Sequence, residues 1–332
     1  MDLYSTKIVS SGIYHPPKIL TNFDLEKMVD TSDSWIYERT GIKQRHVAAP
    51  GIGPSDLAVP AVKQAIENSG LELNDIDCIL FSTSSPDMRM PNSASILQFK
   101  LGITNHCACF DLMAACSGFL YGLNMANASI ASGLFKTVLL VGSEVLSYFI
   151  NFNDRTTCIL FGDGCGVFLL TRNEDANPTS KVLSSVMCSE GQGKDLILLD
   201  TGGPCKPITK EILENEKQYV SMQGQETFKL AVKTMVHNSE VALEKAGLTL
   251  SDIDWIIPHQ ANTRIIQAVT ERLNAPKEKV LSNIENYGNT SCASIPVAMH
   301  EAIKSGKIKR GDLVLLTAFG SGLTSATTVL RY

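Results

Sequence analysis

A cysteine, a histidine and an asparagine, far apart along the chain, have surroundings that suggest chemistry. Cys116 stands at a turn just ahead of a segment rich in Gly, Ala, Ser and Asn that reads as a helix from Ser117. A thiol at a helix N-terminus meets the positive end of the dipole and free backbone N–H groups, and both favour the nucleophilic thiolate. Taken alone, Cys116 reads as one more small core residue. His259 follows the buried strand Trp255-Ile256-Ile257-Pro258 and precedes a helix start at Gln260-Ala261-Asn262. Asn289 lies in Asn286-Tyr287-Gly288-Asn289-Thr290-Ser291, a turn feeding a helix that begins near Ser294. A lone His after a buried strand is ordinarily structural, and an Asn before Thr and Ser is ordinarily a cap. All three positions are strand or loop ends that lead into helices, where sites gather in α/β folds.

The elements that must position them can be read in outline. The stretch 110–136 carries no formal charge between Asp111 and Lys136, so its helix belongs in a core. Gly118 and Gly122, one turn apart, let another backbone pack close. Residues 6–14 alternate as a strand that His15-Pro16-Pro17 ends. Residues 22–39 look helical from a cap-like Asn22, with a second start at Thr31-Ser32-Asp33. Pro54-Ser55-Asp56 opens a helix that runs to about Ser69. Buried strands follow at 78–81 and 137–142, and a third after Phe161-Gly162-Asp163-Gly164. The polar run 173–181 is a boundary.

The second half repeats the first. AIENSGLELNDIDCILF at 65–81 lines up with ALEKAGLTLSDIDWIIP at 242–258, pairing Glu67 with Glu244, Gly70 with Gly247 and Asp75/Asp77 with Asp252/Asp254. Gly133 matches Gly306, and FGDG at 161–164 matches FGSG at 319–322. Stepping back from those glycines without gaps sets Cys116 opposite Asn289. Strands alternating with helices in two similar halves, 1–176 and 177–332, imply an α/β fold of layered helices and sheets, with Cys116 and Asn289 meeting at the shared centre.

Composition excludes several classes. The chain has 332 residues with 44% hydrophobic and 19% charged content, which suits a well-buried globular enzyme. A net charge of −5 gives no reason to expect nucleic acid as a partner. Nine cysteines without framework spacing argue for reduced thiols in a cytoplasmic setting. His106, Cys107 and Cys109 lack the spacing of a zinc site, so no metal is expected. No signal peptide is visible at the N-terminus. The long apolar run 112–135 contains Ser117, Asn124, Asn127, Ser129 and Ser132, which make lipid a poor host.

Taken together, TSDSWIYERTGIKQRH at 31–46, AACSGF, FGDG, PHQAN, YGNTS and the closing AFGSG resemble the β-ketoacyl-acyl-carrier-protein synthase III family of the thiolase superfamily, over nearly the whole length. The resemblance implies a thiolase-like fold, two duplicated halves in a layered α-β-α-β-α sandwich. It makes Cys116 the acyl-accepting nucleophile with His259 and Asn289 beside it; elongating relatives carry a second His in place of the Asn. It implies an acyl-coenzyme A primer, malonyl-acyl-carrier protein as the second substrate, no cofactor beyond the coenzyme A thioester substrate itself, and a homodimer. The oxyanion donors would be the backbone N–H groups of Cys116 and Ser321, the latter replacing a common Gly. Trp35 and Arg155 would flank the adenine, with Thr31 and Arg39 near the adenine and phosphates. Phe228, Ala261, Asn262 and Phe319 would line the pantetheine tunnel. Lys229, Arg264 and Arg272 match carrier-docking positions. Lys233 shares a helical face with Lys229, whereas Glu271 weakens the patch. Met90 matches a residue that reaches across the dimer interface and limits acyl length, and a Met there implies a wider pocket than a Phe would leave.

The same fold could serve a specialised pathway, as a polyketide starter-unit synthase or acyltransferase, or form a non-catalytic partner subunit. Asn289 and the basic residues near Arg264 favour the condensing enzyme of fatty acid synthesis. Cys116 speaks against the non-catalytic subunit.

Overall fold

The computed structural model describes residues 4–174 and 179–332. The first sheet contains β1 (Ser5–Tyr14), β2 (Cys78–Ser82), β3 (Ala108–Leu112), β4 (Thr137–Glu144) and β5 (Gly164–Asn173), in the order β1-β5-β4-β2-β3. The second contains β6 (Lys181–Ser189), β7 (Trp255–Pro258), β8 (Leu313–Gly320) and β9 (Thr324–Arg331), in the order β7-β8-β9-β6. The two orders superimpose strand for strand. β2 and β4 pair in parallel, as do β7 and β8; the pairs β1–β5, β5–β4, β8–β9 and β9–β6 run antiparallel. Where β3 lies parallel to β2, the second half keeps a single parallel bridge from Val280 to Ile256. The expected division between residues 176 and 177 falls outside the described residues.

The repeated GL-x-L-x-DID string has a physical reading. Gly70 and Gly247 end their helices with φ of 73° and 67°, a backbone region that glycine enters without steric cost. A one-turn 3-10 helix follows in each half, Leu73–Asp75 and Leu250–Asp252. Its last Asp accepts the backbone N–H of the residue before the turn, Glu72 or Thr249, at 2.8 Å. The second Asp then anchors the start of a neighbouring strand: Asp77 accepts the Thr137 N–H and Asp254 the Leu313 N–H.

The helices of eight residues or more are α1 (Asp33–Thr40), α2 (Pro54–Glu67), α3 (Ser93–Leu101), α4 (Gly118–Ala131), α5 (Gly224–Ala246), α6 (Thr263–Arg272) and α7 (Ser294–Lys304). α4 and α7 form a central layer. Phe119, Leu120 and Leu123 of α4 and Ile295 and Met299 of α7 share one buried cluster with Leu80 and Leu140 of the first sheet and Leu316 and Ala326 of the second. The alternate residues Ile79, Phe81, Leu139 and Val141 face α2 and α3 instead. Leu313, Leu315 and Val329 face α5. Five layers follow, α-β-α-β-α. Each sheet is covered on both faces, which is why its strands read as continuous apolar runs.

Two local expectations need correction. Asn22 is not a cap: Thr21 caps a short helix, Asn22–Leu25, and the Asn22 amide bonds Asp33 and the Ile42 carbonyl. The next helix starts after Ser32, whose hydroxyl accepts the Trp35 N–H. The glycines of α4 admit side chains rather than another backbone. A Cβ on Gly118 would meet the Ser82 hydroxyl at 2.2 Å, and one on Gly122 the Leu140 side chain at 2.6 Å.

Candidate active site

Cys116 lies in a 3-10 turn, Ala115–Ser117, between β3 and α4. An equivalent turn, Ser291–Ala293, precedes α7. Ala115 and Ser291 occupy the left-handed region with φ of 46° and 50°. The structural equivalence therefore pairs Cys116 with Cys292, not with Asn289. α4 has 14 residues and α7 has 11, so counting back from the glycines that follow them arrives three positions early. Asn289 precedes its turn and reaches the site from there.

The two FGxG stretches explain how each turn is held, because each braces the site residue of the opposite half. A Cβ on Gly320 would sit 2.7 Å from the Cys116 nitrogen, so only a glycine lets β8 approach. Gly162 donates its N–H to the Asn289 carbonyl, and the Asn289 N–H is taken by the Leu160 carbonyl. Thr324, at the start of β9, bonds both the Ser117 hydroxyl and the Ala114 carbonyl, fastening the nucleophile turn to the second sheet.

The second turn then gathers the site. The Ser291 N–H donates to Asn289 Oδ1 at 2.8 Å, which fixes the amide and leaves its NH2 as the donor for a ligand. The turn that carries Ser291 packs against the turn that carries Cys116. Ser294, three residues on, meets His259 Nδ1 at 2.7 Å and accepts the Gln260 N–H at 3.3 Å. With its oxygen so engaged, the Ser294 proton is directed to Nδ1, which leaves Nε2 as the protonated, donating nitrogen. The His259 N–H donates to the Thr317 carbonyl, on the strand that ends at Gly320. Gln260 accepts from Ser282 and the Asn283 N–H, pinning the other side of the histidine turn.

Burial sets the electrostatics. It pushes the Cys116 thiol up to about 11; the Ser291 hydroxyl and a backbone N–H act against the rise, and the Glu144 carboxylate adds to it. Loss of water outweighs those donors at the thiol. Burial also lowers His259 to about 3, so the imidazole is neutral and donates through one nitrogen.

Ser321 keeps out of the left-handed region, and the adjacent Gly322 carries φ 130°. The replacement of the common Gly is therefore accommodated, and the Ser321 hydroxyl donates to the Ile197 carbonyl. The Arg39 and Arg155 guanidinium carbons lie 4.5 and 5.3 Å from the Trp35 ring centre. Arg155 also donates to the Asp30 carbonyl beside Thr31. Gly41, ending α1, abuts Thr263, next to Asn262, which caps α6. The helix that carries Trp35 thus packs against the helix that follows His259 and Ala261. Phe228 packs in one cluster with the buried Phe319. Lys229, Lys233, Arg264 and Arg272 are all exposed on α5 and α6, with Lys229 paired to Glu226 at 2.8 Å. Met90 is 85% exposed, far from α5 in sequence and close to the exposed Met88. Sequence reading assigned no role to Ser291, Ser294 or Glu144. The one signal for Glu144 was its position as the single charge closing the apolar strand TVLLVGSE.

Family models for 3-oxoacyl-[acyl-carrier-protein (ACP)] synthase III match residues 110–191, and for its C-terminal part residues 243–332. A beta-ketoacyl-[acyl-carrier-protein] synthase III of Caldanaerobacter subterraneus subsp. tengcongensis is 47% identical over 98% of this chain and 97% of that protein. The chain belongs to the β-ketoacyl-[acyl-carrier-protein] synthase III family. Crystal structures of family members from Aquifex aeolicus VF5 and Thermus thermophilus superimpose with TM-scores of 0.91 and 0.90, at 46% and 40% identity. They cover 98% of this chain, and 100% and 99% of their own. Membership in this family makes the protein an acyltransferase of the condensing type on a thiolase-like fold. Among the described residues no helix is long and apolar enough to cross a membrane.

Proposed function

We propose that the protein condenses an acyl-coenzyme A primer with malonyl-acyl-carrier protein through an acyl-Cys116 thioester, the first carbon–carbon bond of fatty acid synthesis. The observation that carries this reading is the turn 291–294, which packs against the Cys116 turn and whose residues bond both Asn289 and His259. In the first half-reaction the Cys116 sulfur attacks the primer thioester, coenzyme A leaves, and the backbone N–H groups of Cys116 and Ser321 hold the tetrahedral oxyanion. In the second, malonyl thioester loses carbon dioxide to give an enolate. A neutral His259 donating through Nε2 and the Asn289 NH2 stabilise its oxygen, and the enolate carbon attacks acyl-Cys116. No step calls for a bound metal or cofactor; coenzyme A arrives and departs as a substrate.

Trp35, Arg39, Arg155 and Thr31 take the adenine and phosphates in this reading, and Phe228, Ala261, Asn262 and Phe319 line the pantetheine path. Lys229, Lys233, Arg264 and Arg272 dock the acidic carrier, although the Lys229–Glu226 pair reduces the share of the first. A second copy of the chain covers the edge strand β3. That edge is exposed at Phe110 and flanked by exposed Met88, Phe99 and Met113, and Met90 beside it would enter the partner's acyl pocket. Nine free thiols fit a reducing, cytoplasmic setting. The test is mass spectrometry after incubation with mixed acyl-coenzyme A primers. A single acyl adduct on Cys116, absent in Cys116→Ser and discharged by malonyl-carrier protein, is expected. Labelling spread over other cysteines would sink the assignment.

A further inference from the structure

The two sheets end in equivalent ladder pairs, and each pair packs against the turn of the other half. β4 and β5 finish with Glu144 opposite Gly164, and β8 and β9 with Gly320 opposite Thr324. At the Cys116 turn the glycine of the pair admits backbone, and the Thr324 hydroxyl binds the Ala114 carbonyl at 2.9 Å. At the turn before α7 the roles are exchanged. Gly164 is the small member, with room for a Cβ only 3.5 Å from Thr290, and the side chain that reaches the turn is Glu144. This carboxylate is fully buried, and the reaction above gives it no part. It accepts the Ser84 N–H, the Ser85 hydroxyl at 2.6 Å and the Thr83 hydroxyl at 3.3 Å from the segment that leaves β2. From the turn it accepts the Ser291 hydroxyl at 3.0 Å and the Cys292 thiol at 3.3 Å.

We propose that Glu144, acting through Ser291, is the residue that positions the Asn289 amide for the condensing step. The inference rests on the reading of Asn289 as a donor to the enolate oxygen. Ser291 joins the two: its hydroxyl donates to Glu144, and its N–H donates to Asn289 Oδ1 at 2.8 Å. Its φ of 50° is one that a non-glycine residue keeps only where its surroundings hold it. The carboxylate grips the hydroxyl of that residue and the thiol of the next, whose sulfur also lies 3.2 Å from the Ser82 carbonyl. The backbone of Asn289 is fixed separately, by Gly162 and the Leu160 carbonyl. What the Ser291 N–H adds is the direction of the amide. With Oδ1 taken, the NH2 is the end turned to substrate. A carboxylate suits the anchoring role because it only accepts. The Ser84 N–H donates to both of its oxygens, at 3.2 and 3.0 Å. An amide NH2 in either place would face a donor that cannot turn away, so Glu144→Gln disturbs the anchor despite its matching shape.

The test separates the two half-reactions. Glu144→Gln lowers the rate at which acyl-loaded enzyme and malonyl-carrier protein form the ketoacyl product by about 100-fold, the scale of an ångström's misplacement. Loading of Cys116 by acyl-coenzyme A, followed by mass spectrometry, is kept or faster, because a charge that opposes the thiolate is gone. Ser291→Ala removes one hydrogen bond and lowers condensation by about 10-fold, again with loading kept. Alanine suits this backbone, as Ala115 shows at φ 46° in the sister turn, so the second variant tests the proposal even where the first does not fold. In an Asn289→Ala background Glu144→Gln adds no further loss of condensation, since the residue it positions is absent. Condensation unchanged in either folded variant overturns the proposal. So does loading that falls in step with condensation, or a further loss in the Asn289→Ala background, because each marks a purely structural role. A wild-type protein that loads no primer, or that condenses as fast without the Asn289 amide, overturns the functional reading instead, a separate result.

Discussion

At the scale of single residues, the site depends on groups that hold the reacting ones. Gly320 has no side chain to contribute, yet in the proposed reaction it sets how close the Cys116 and Ser321 N–H groups, the proposed oxyanion donors, can lie. A methyl group there would lie 2.7 Å from the Cys116 nitrogen and 3.2 Å from its Cβ, inside contact distance of backbone that cannot swing away. Gly320→Ala should therefore displace an oxyanion donor and lower the acylation rate by about 100- to 1,000-fold, the usual cost of losing one. Stopped loading assays would read this directly. Coenzyme A binding should change little, because a side chain at Gly320 would meet Cys116 and Ser117 rather than Trp35 or Arg155. Weakened coenzyme A binding to match the lost rate would place the damage elsewhere. Ser294 acts in the same indirect way, by holding one proton position on His259.

At the scale of elements, the strands, the core helix and the repeat were legible because each rests on local chemistry: glycine ends, Asp-capped turns and apolar runs covered on both sides. The placement of Cys116, His259 and Asn289 was legible because their motifs stand at strand–helix or loop–helix junctions. The pairing of Cys116 with Asn289 was not, since helix length is set by packing between layers, and a three-residue difference leaves no mark in an ungapped comparison. Glu144 and Ser291 escaped for a related reason. Their meaning lies in contacts between β4 and a turn some 147 positions later, and neither has a local signature. The junction of α1 with the Arg155 loop allows a prediction. With its guanidinium carbon 5.3 Å from the Trp35 ring, Arg155 must swing outward before a base can stack between them. Its exposed pair with Asp30 opposes this only weakly. Arg155→Ala should weaken coenzyme A about 2- to 5-fold, the worth of an exposed cation–π contact. Trp35 emission, read in a Trp255→Phe background, should respond to coenzyme A. Emission that ignores coenzyme A would remove Trp35 from the site.

At the scale of the whole molecule, the exposed edge β3 and the buried histidines make separate demands. The edge leaves Phe99 at 86% and Met113 at 76% exposure in the single chain, and an apolar strand edge is a template for pairing. Phe99→Glu with Met113→Glu should convert a dimer to monomers by light scattering; an unchanged mass would move the interface elsewhere. The histidines set the response to acid. Burial lowers both His15 and His259 to about 3, with the charge of His46 adding to the effect at His15. In the unfolded chain each would titrate near ~6.5. Above that value neither state is protonated and the stability is whole. Below it the unfolded chain takes up protons that the folded chain refuses, so stability falls as pH drops, until the folded values are passed. Each group contributes a slope of up to about 1.4 kcal/mol per pH unit. Glu144 and Asp163, raised by burial, bind protons more readily when folded and oppose this trend as the acid range of carboxylates is approached. Between pH ~7 and ~5 the histidines should dominate. The melting temperature should fall across that interval, and less steeply in His259→Asn, by about one proton's worth of slope. A melting temperature indifferent to pH there would mean that the imidazoles gain water and charge without unfolding, and the neutral His259 donor would fall with them.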